Sequence, residues 1–343
     1  MESRLLNYLH TSGANLEGHL GPNMMPKYPF YSSVSRCRHK PDPFHNLLTS
    51  ETVDELIALG NHGMTFEQVT DKRAVELSAL PEEIFVMWSG GIDSTIVVAG
   101  LLRNWSRNDL DRVTVLCNTD SIRECPEFFR VIAKNLRTEV VHARLEEFLE
   151  RGYVLTGEHG DQIFGSDMPL ELMKRLGEHT LWEPWQAVGS EFFSRMSPTH
   201  GLATFNNYAQ LVPESPIDIV TIRDFFWWVN FTQKWQHVRY RVLMSDTWND
   251  PKKYFPKIVH FFDSPEYQVW SIHNHDKKIK DNWLSYKYLG KEYVVDYTKD
   301  PSFHNKMKVI SLQNLYVGTK FNFAIDENWQ FLTLEQCIQR IRK

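Results

Sequence analysis

The stretch Ser89-Gly90-Gly91-Ile92-Asp93-Ser94-Thr95 places two glycines, a carboxylate and three hydroxyls between two apolar segments. Glycine lets a chain turn sharply and brings its backbone close to a ligand. The apolar run IFVMW ends just before the loop, and the apolar run after it starts a helix. Amide hydrogens of the loop and of the first helical turn therefore converge on one point, where the helix dipole favours negative charge. That is an anion site, and a polyphosphate is its natural occupant. Gly90 and Gly91 give the close backbone approach, and Ser89, Ser94 and Thr95 can donate hydroxyl hydrogen bonds to the same oxygens. Asp93 needs its own reason, because a carboxylate repels phosphate. A magnesium ion between the two resolves the conflict, since Mg²⁺ is bound through one or two carboxylates together with phosphate oxygens. The alternative is a tight strand-to-helix turn that Asp93 merely caps. The full pattern Ser-Gly-Gly-x-Asp-Ser after a buried strand favours the phosphate site, although it matches neither GxxxxGK nor GxGxxG.

SGGIDS resembles the PP-loop of the ATP pyrophosphatase superfamily, whose members cleave ATP between its α- and β-phosphates to give an adenylated substrate and pyrophosphate. That motif alone admits asparagine, GMP, NAD and argininosuccinate synthetases, tRNA thiolases and deazaguanine enzymes. A second stretch, LTGEHGDQIFGSD (Leu155 to Asp167), narrows the choice. It resembles the Gly-Glu-x-x-Asp-Glu-x-Phe-Gly-Gly signature of asparagine synthetases and β-lactam synthetases. Gly157, Glu158, Asp161, Phe164 and Gly165 match. Gln162 stands where the family usually has Glu, and Ser166 where it usually has Gly. Two carboxylates at this spacing, at the C-terminal end of a strand, would face the crevice in which open α/β sheets bind ligands. Gly157 then joins the nucleotide site and Asp161 joins Asp93 as a second magnesium ligand. Glu158 is the base or amine-positioning group, since an incoming ammonium must lose a proton to attack.

Looser similarity continues through HVRYR (His237 to Arg241) and FDSPEYQVWSI (Phe262 to Ile272) into KDPSFHNKMKV. The resemblance implies a late lysine that neutralises charge during acyl transfer; Lys306 and Lys308 are the candidates, with Lys280 behind them. It breaks at the N-terminus. Glutamine-using asparagine synthetases begin Met-Cys, whereas this chain begins Met1-Glu2, and the residues before Ile84 are too few for a glutaminase domain. Nitrogen is then expected from free ammonia, an amine, or a separate ammonia-donor protein.

These residues need a frame that holds them. IFVMW, RVTVLCN, EVVHAR and YVLTG read as short buried strands, with helices from about Ser94 to Trp105 and Pro126 to Leu136 between them. Alternation of this kind implies an α/β fold with a parallel sheet and flanking helices. The resemblance makes it adenine nucleotide alpha hydrolase-like. Beyond about Pro169 the pattern is mainly helical and aromatic. The run IRDFFWWVNFTQKWQHVRYRVLM, without Gly or Pro, reads as a buried helix whose aromatics form core. Before the sheet, TSETVDELIAL reads as a helix capped by Thr49 or Ser50, and TFEQVTDKRAVELSAL as a second helix. The expected division is an N-terminal arm with helices over 1–80, an ATP-binding core over 81–170, and a helical substrate-binding region over 171–343.

The composition, 42% hydrophobic and 24% charged over 343 residues, is that of a soluble globular protein. A net charge of −5 argues against a generally basic nucleic-acid binder and leaves room for a local basic groove. Cys37, Cys117, Cys125 and Cys337 form no CxxC pair, which disfavours zinc and dithiol chemistry and suits a cytoplasmic protein. No segment reads as a signal peptide or membrane span. The leading expectation is an ATP- and Mg²⁺-dependent, AMP-forming ligase that adenylates a small carboxylate and passes the acyl group to ammonia or an amine. A nucleotide- or nucleic-acid-modifying enzyme of the same activation chemistry is the second. A nucleotide-binding protein without turnover is the third.

Overall fold

The structure, a computed structural model, describes residues 36–37, 50–140, 145–165, 168–196, 198, 201–244, 250–307, 324–325, 328–332 and 336. Most of the N-terminal arm, Ser166, Lys308, the side chains of His237 and Arg241, and the helix expected after Thr333 lie outside the described residues. Two compact units result, each built from separated stretches: Asn61–Gly160 with Trp248–Thr319, and Met1–Gly60 with Asp161–Thr247 and Lys320–Lys343.

The first unit holds a five-stranded sheet in the order β3-β2-β1-β4-β5. The strands are β1 (Glu83–Met87), β2 (Val113–Cys117), β3 (Arg137–Val140), β4 (Gly152–Thr156) and β5 (Ile258–His260), and every pair is parallel. β1 is central, with Ile84, Phe85 and Val86 fully buried, as a strand covered on both faces requires. Two strands depart from the sequence reading. β3 starts at Arg137, two residues earlier than expected. It is a largely exposed edge strand, so no apolar run marks it. β5 was not expected at all; three residues beside Pro256 are too few to show a period.

Helices cover this sheet. Thr65 and Gln68 form a reciprocal capping box at the start of α1 (Phe66–Ser78). Phe66 then packs against Tyr267 and Trp270 of α4 (Pro265–His273), at ring distances of 5.9 and 5.1 Å. α2 (Ile92–Asn104) is buried from Ser94 to Leu101. α3 (Pro126–Asn135) carries Phe128, whose ring meets Phe303 edge-on. α5 (Tyr288–Thr298) packs along α2, and its Tyr293 hydroxyl donates to Asp71 at 2.6 Å.

The second unit is helical and aromatic. Trp185 stacks on Phe225 at 4.9 Å, and Phe192, Phe193, Phe205 and Phe226 close around them. The long aromatic run is helical from Ile222 to Met244, but a π turn at Asn230–Lys234 interrupts it. The short helix Val53–Ala58 is capped by Thr52, not by Thr49 or Ser50. Thr52 has Glu55 at the third helical position and so closes a reciprocal box.

Candidate functional site

β1 and β4 lie side by side, with Met87 opposite Thr156. The sheet order reverses between them, since the chain builds β2 and β3 on one side of β1 before placing β4 and β5 on the other. Parallel sheets take ligands beyond the C-terminal ends of strands at such a switch point. The two stretches singled out in the sequence leave from these two strand ends. They also touch: a Cβ added to Gly157 would sit 2.7 Å from the Ser94 amide nitrogen.

The loop after β1 is closed by its own short side chains. The Ser89 amide donates to Ser94 Oγ at 3.0 Å, and the Ser94 hydroxyl donates to the Gly91 carbonyl at 3.1 Å. The Gly91 amide donates to Ser89 Oγ at 3.3 Å. Thr95 is buried beneath the loop, where its hydroxyl accepts the Trp88 indole N–H at 3.1 Å. Ser94 and Thr95 thus hold the loop from inside, while Ser89 stays half-buried. Gly90 has φ +75°, and a Cβ there would lie 2.4 Å from the Ser121 carbonyl oxygen. Only glycine meets both demands. Gly91 is the N-cap of α2 and brings no side-chain cap.

Asp93 is where the structure adds most. Both its carboxylate oxygens accept from the Lys287 ammonium, at 2.7 and 2.6 Å. Lys287 is 4% exposed. Its backbone is left-handed, with φ 59° and ψ 28°, at the start of α5. A non-glycine residue held there costs on the order of 1 kcal/mol, so the surrounding structure fixes it. A Cβ on Gly160 would fall 2.4 Å from Asp93 Cγ, so the turn after β4 lies directly on this carboxylate. One turn along α5, Lys291 is 2% exposed, and its ammonium donates to the Leu284 carbonyl at 2.7 Å. Burial, and then the nearby Lys287 charge, push its pKa down to about 8.

Asp93 therefore does not fit a magnesium ion in this arrangement, because an ammonium already sits against both oxygens. Among the described residues no group of three or more His, Cys, Asp and Glu side chains is gathered for a metal. Asp161 opens the second compact unit, on the helix Gly160–Phe164. Its carbonyl accepts from the Asn230 side-chain amide at 2.9 Å, and the Gly165 carbonyl accepts from the same nitrogen. Gln162, the departure from the family pattern, donates to Asn230 Oδ1 at 3.1 Å. An amide suits that place because a carboxylate could not donate.

Glu158 is half-buried, and its backbone is anchored. The Glu158 amide donates to Thr156 Oγ1 at 3.2 Å, and that oxygen lies 2.7 Å from His260 Nδ1 on β5. His159, with φ 71°, is buried with its ring centre 5.1 Å from that of His260.

The expected lysines separate. Lys306 donates to the Glu124 carbonyl at 2.7 Å, and Glu124 packs against Gly90, so Lys306 reaches the flank of the loop. Lys280 forms an exposed pair with Glu292 at 2.9 Å, and Lys308 lies outside the described residues. Thr156, His260, Lys287 and Lys291 went unnoticed in the sequence. Nothing local distinguishes a buried lysine from a surface one.

No family model and no curated protein matches this chain. The remaining functional hints come from the molecule itself. Cys117 and Cys125 are buried thiols, and burial raises the pKa of both, which disfavours a thiolate nucleophile at either. A concavity of about 350 Å³ in the helical unit is lined by Arg175, His179, Glu183, Glu191 and Arg195 among others. Its charges pair along their own helices, Arg175 with Glu171 and Arg195 with Glu191. Among the described residues no helix is long and apolar enough to cross a membrane.

Proposed function

We propose that this chain is an ATP-dependent, AMP-forming ligase of the PP-loop ATP pyrophosphatase kind, asparagine synthetase-like, with an adenine nucleotide alpha hydrolase-like sheet. One observation carries the reading: SGGIDS and GEHG, far apart in sequence, leave from adjacent parallel strands at the switch point and pack against each other. In this reading the triphosphate lies on the Ser89–Thr95 loop and the start of α2. A substrate carboxylate oxygen attacks the α-phosphorus, the bond to the β-phosphate breaks, and pyrophosphate leaves. Ammonia or an amine then attacks the acyl carbon, and the bond to AMP breaks. Glu158 takes the proton the nitrogen loses. Lys306, on the flank of the loop, is the candidate cation for the transfer step, together with Lys308. A reducing cytoplasmic setting suits the three described free thiols.

Incubation with ATP and a panel of carboxylates and amines should give AMP and pyrophosphate; stoichiometric ADP and orthophosphate would overturn the reading. Glu158→Gln separates activation from transfer. Glutamine can hold an amine but cannot take its proton. The variant should therefore keep exchange of labelled pyrophosphate into ATP while product formation falls about a hundredfold, about 2.7 kcal/mol in the transfer barrier. A proportional fall in both rates would remove Glu158 from the transfer step.

A further inference from the structure

The Asp93–Lys287 pair raises a question of charge that the proposed function leaves open. Asp93 opens the helix at the loop where phosphate oxygens would gather, and an uncompensated carboxylate there would repel them. The structure supplies a compensating cation without a metal. Lys287 reaches both oxygens of Asp93 at 2.7 and 2.6 Å, from a backbone conformation that lysine ordinarily avoids. Its side chain is 5% exposed against 23% for that of Asp93, so the ammonium is enclosed against a carboxylate that itself reaches the surface. The glycine at position 160 leaves room for this carboxylate alone, with 2.4 Å between a would-be Cβ and Asp93 Cγ. A second buried ammonium, Lys291, follows one turn later against a carbonyl oxygen. Two enclosed ammonium groups thus follow each other along this helix, one of them on Asp93.

We propose that Lys287 occupies the position a divalent cation would take at Asp93, so that this loop binds a polyphosphate anion without metal. The inference rests on the nucleotide reading above and adds to it. Asp93 becomes the anchor of the ammonium, and the phosphates meet a neutralised pair in place of a bare carboxylate. Removing Lys287 should vacate the position and make binding depend on magnesium.

ATP binding by calorimetry, in excess EDTA and in excess magnesium, tests this on the full chain. For the wild type the two dissociation constants should agree within about fivefold, about 1 kcal/mol. Lys287→Met should bind more than about fivefold more weakly in EDTA and recover in magnesium, since Asp93 is then open to the ion. A wild type that loses more than this on chelation overturns the inference, as does Lys287→Met binding normally in EDTA. A loss that magnesium does not recover overturns the shared position. If the variant does not fold, the two wild-type measurements decide alone. Binding only in magnesium sinks this inference and spares the proposed function, whereas no ATP binding in either medium overturns both.

Discussion

The loop after β1 and the segment that starts α5 meet at one ion pair, yet they are specified in opposite ways. The loop is local chemistry: two glycines, two serines and a threonine within seven residues fold it by hydrogen bonds to one another. The α5 segment is tertiary chemistry. Lys287 and Lys291 look like any surface lysines in the sequence and become distinctive only because the fold buries them. The first kind of site is fragile to backbone change. The second responds to charge.

Substitution can sharpen that contrast. The largest effect belongs to Gly90→Ala. A methyl group must fit 2.4 Å from the Ser121 carbonyl oxygen on a backbone with φ +75°. A loss of about 2–4 kcal/mol in urea unfolding, together with loss of nucleotide binding, is expected. A stable, binding variant would show that the loop is not locally closed.

A middle-sized effect of opposite sign belongs to Lys291→Met. Burial, and then the Lys287 charge, lower the pKa of the folded lysine to about 8 from its usual 10.5. Between these values the unfolded chain holds a proton that the folded chain has released, so wild-type stability rises with pH there. Below about pH 8 both states are protonated and the burial penalty is constant. The variant should therefore be more stable than wild type at pH 7 by about 1 kcal/mol, the lower end of what replacing a buried ion with a hydrophobic side chain gives. Its advantage should shrink as pH climbs from about 8 towards 10. A difference independent of pH would remove Lys291 as a buried cation.

The smallest effect belongs to Gly91→Ala. Its φ is ordinary for any residue, −72°, and the nearest atom to an added Cβ is Ser89 Oγ at 3.3 Å. A cost below about 1 kcal/mol is expected, since alanine is only a somewhat poorer N-cap than glycine. A loss equal to that of Gly90→Ala would mean that the two glycines do the same work and the steric reading of Gly90 is wrong.

The same contrast explains what the sequence could reveal. β1, β2 and β4 were legible because buried parallel strands leave continuous apolar runs, and the loop because glycine and hydroxyl spacing is a local code. Alternation of strands and helices implies a parallel sheet but not its strand order, so the neighbouring placement of β1 and β4, like β5 itself, had to be seen. Edge strand β3 was displaced because Arg137, Thr138 and Glu139 carry no apolar signal. The magnesium assigned to Asp93 was sound charge reasoning from a list that lacked Lys287, a residue 194 positions away. Gln162 looked like a defect in a motif until Asn230, from the aromatic run, turned out to need a donor.

That aromatic run also shows how one extra residue can be put to use. A π turn accommodates a residue more than an α turn does, and so rotates everything beyond it by about 100° relative to an unbroken helix. The segment from Ile222 to Met244 is therefore two helical stretches in different phase. Before the turn, Phe225 and Phe226 join the aromatic stack with Trp185 and Phe192. At the turn itself, Asn230 projects an amide to the carbonyls of Asp161 and Gly165. Deleting one residue here would restore regular winding and leave the later face, Trp235 and Val238 included, where it now lies. What the extra residue supplies is the local bulge from which the Asn230 amide reaches two carbonyls, so this spacing is tied to that contact and not to the aromatic core.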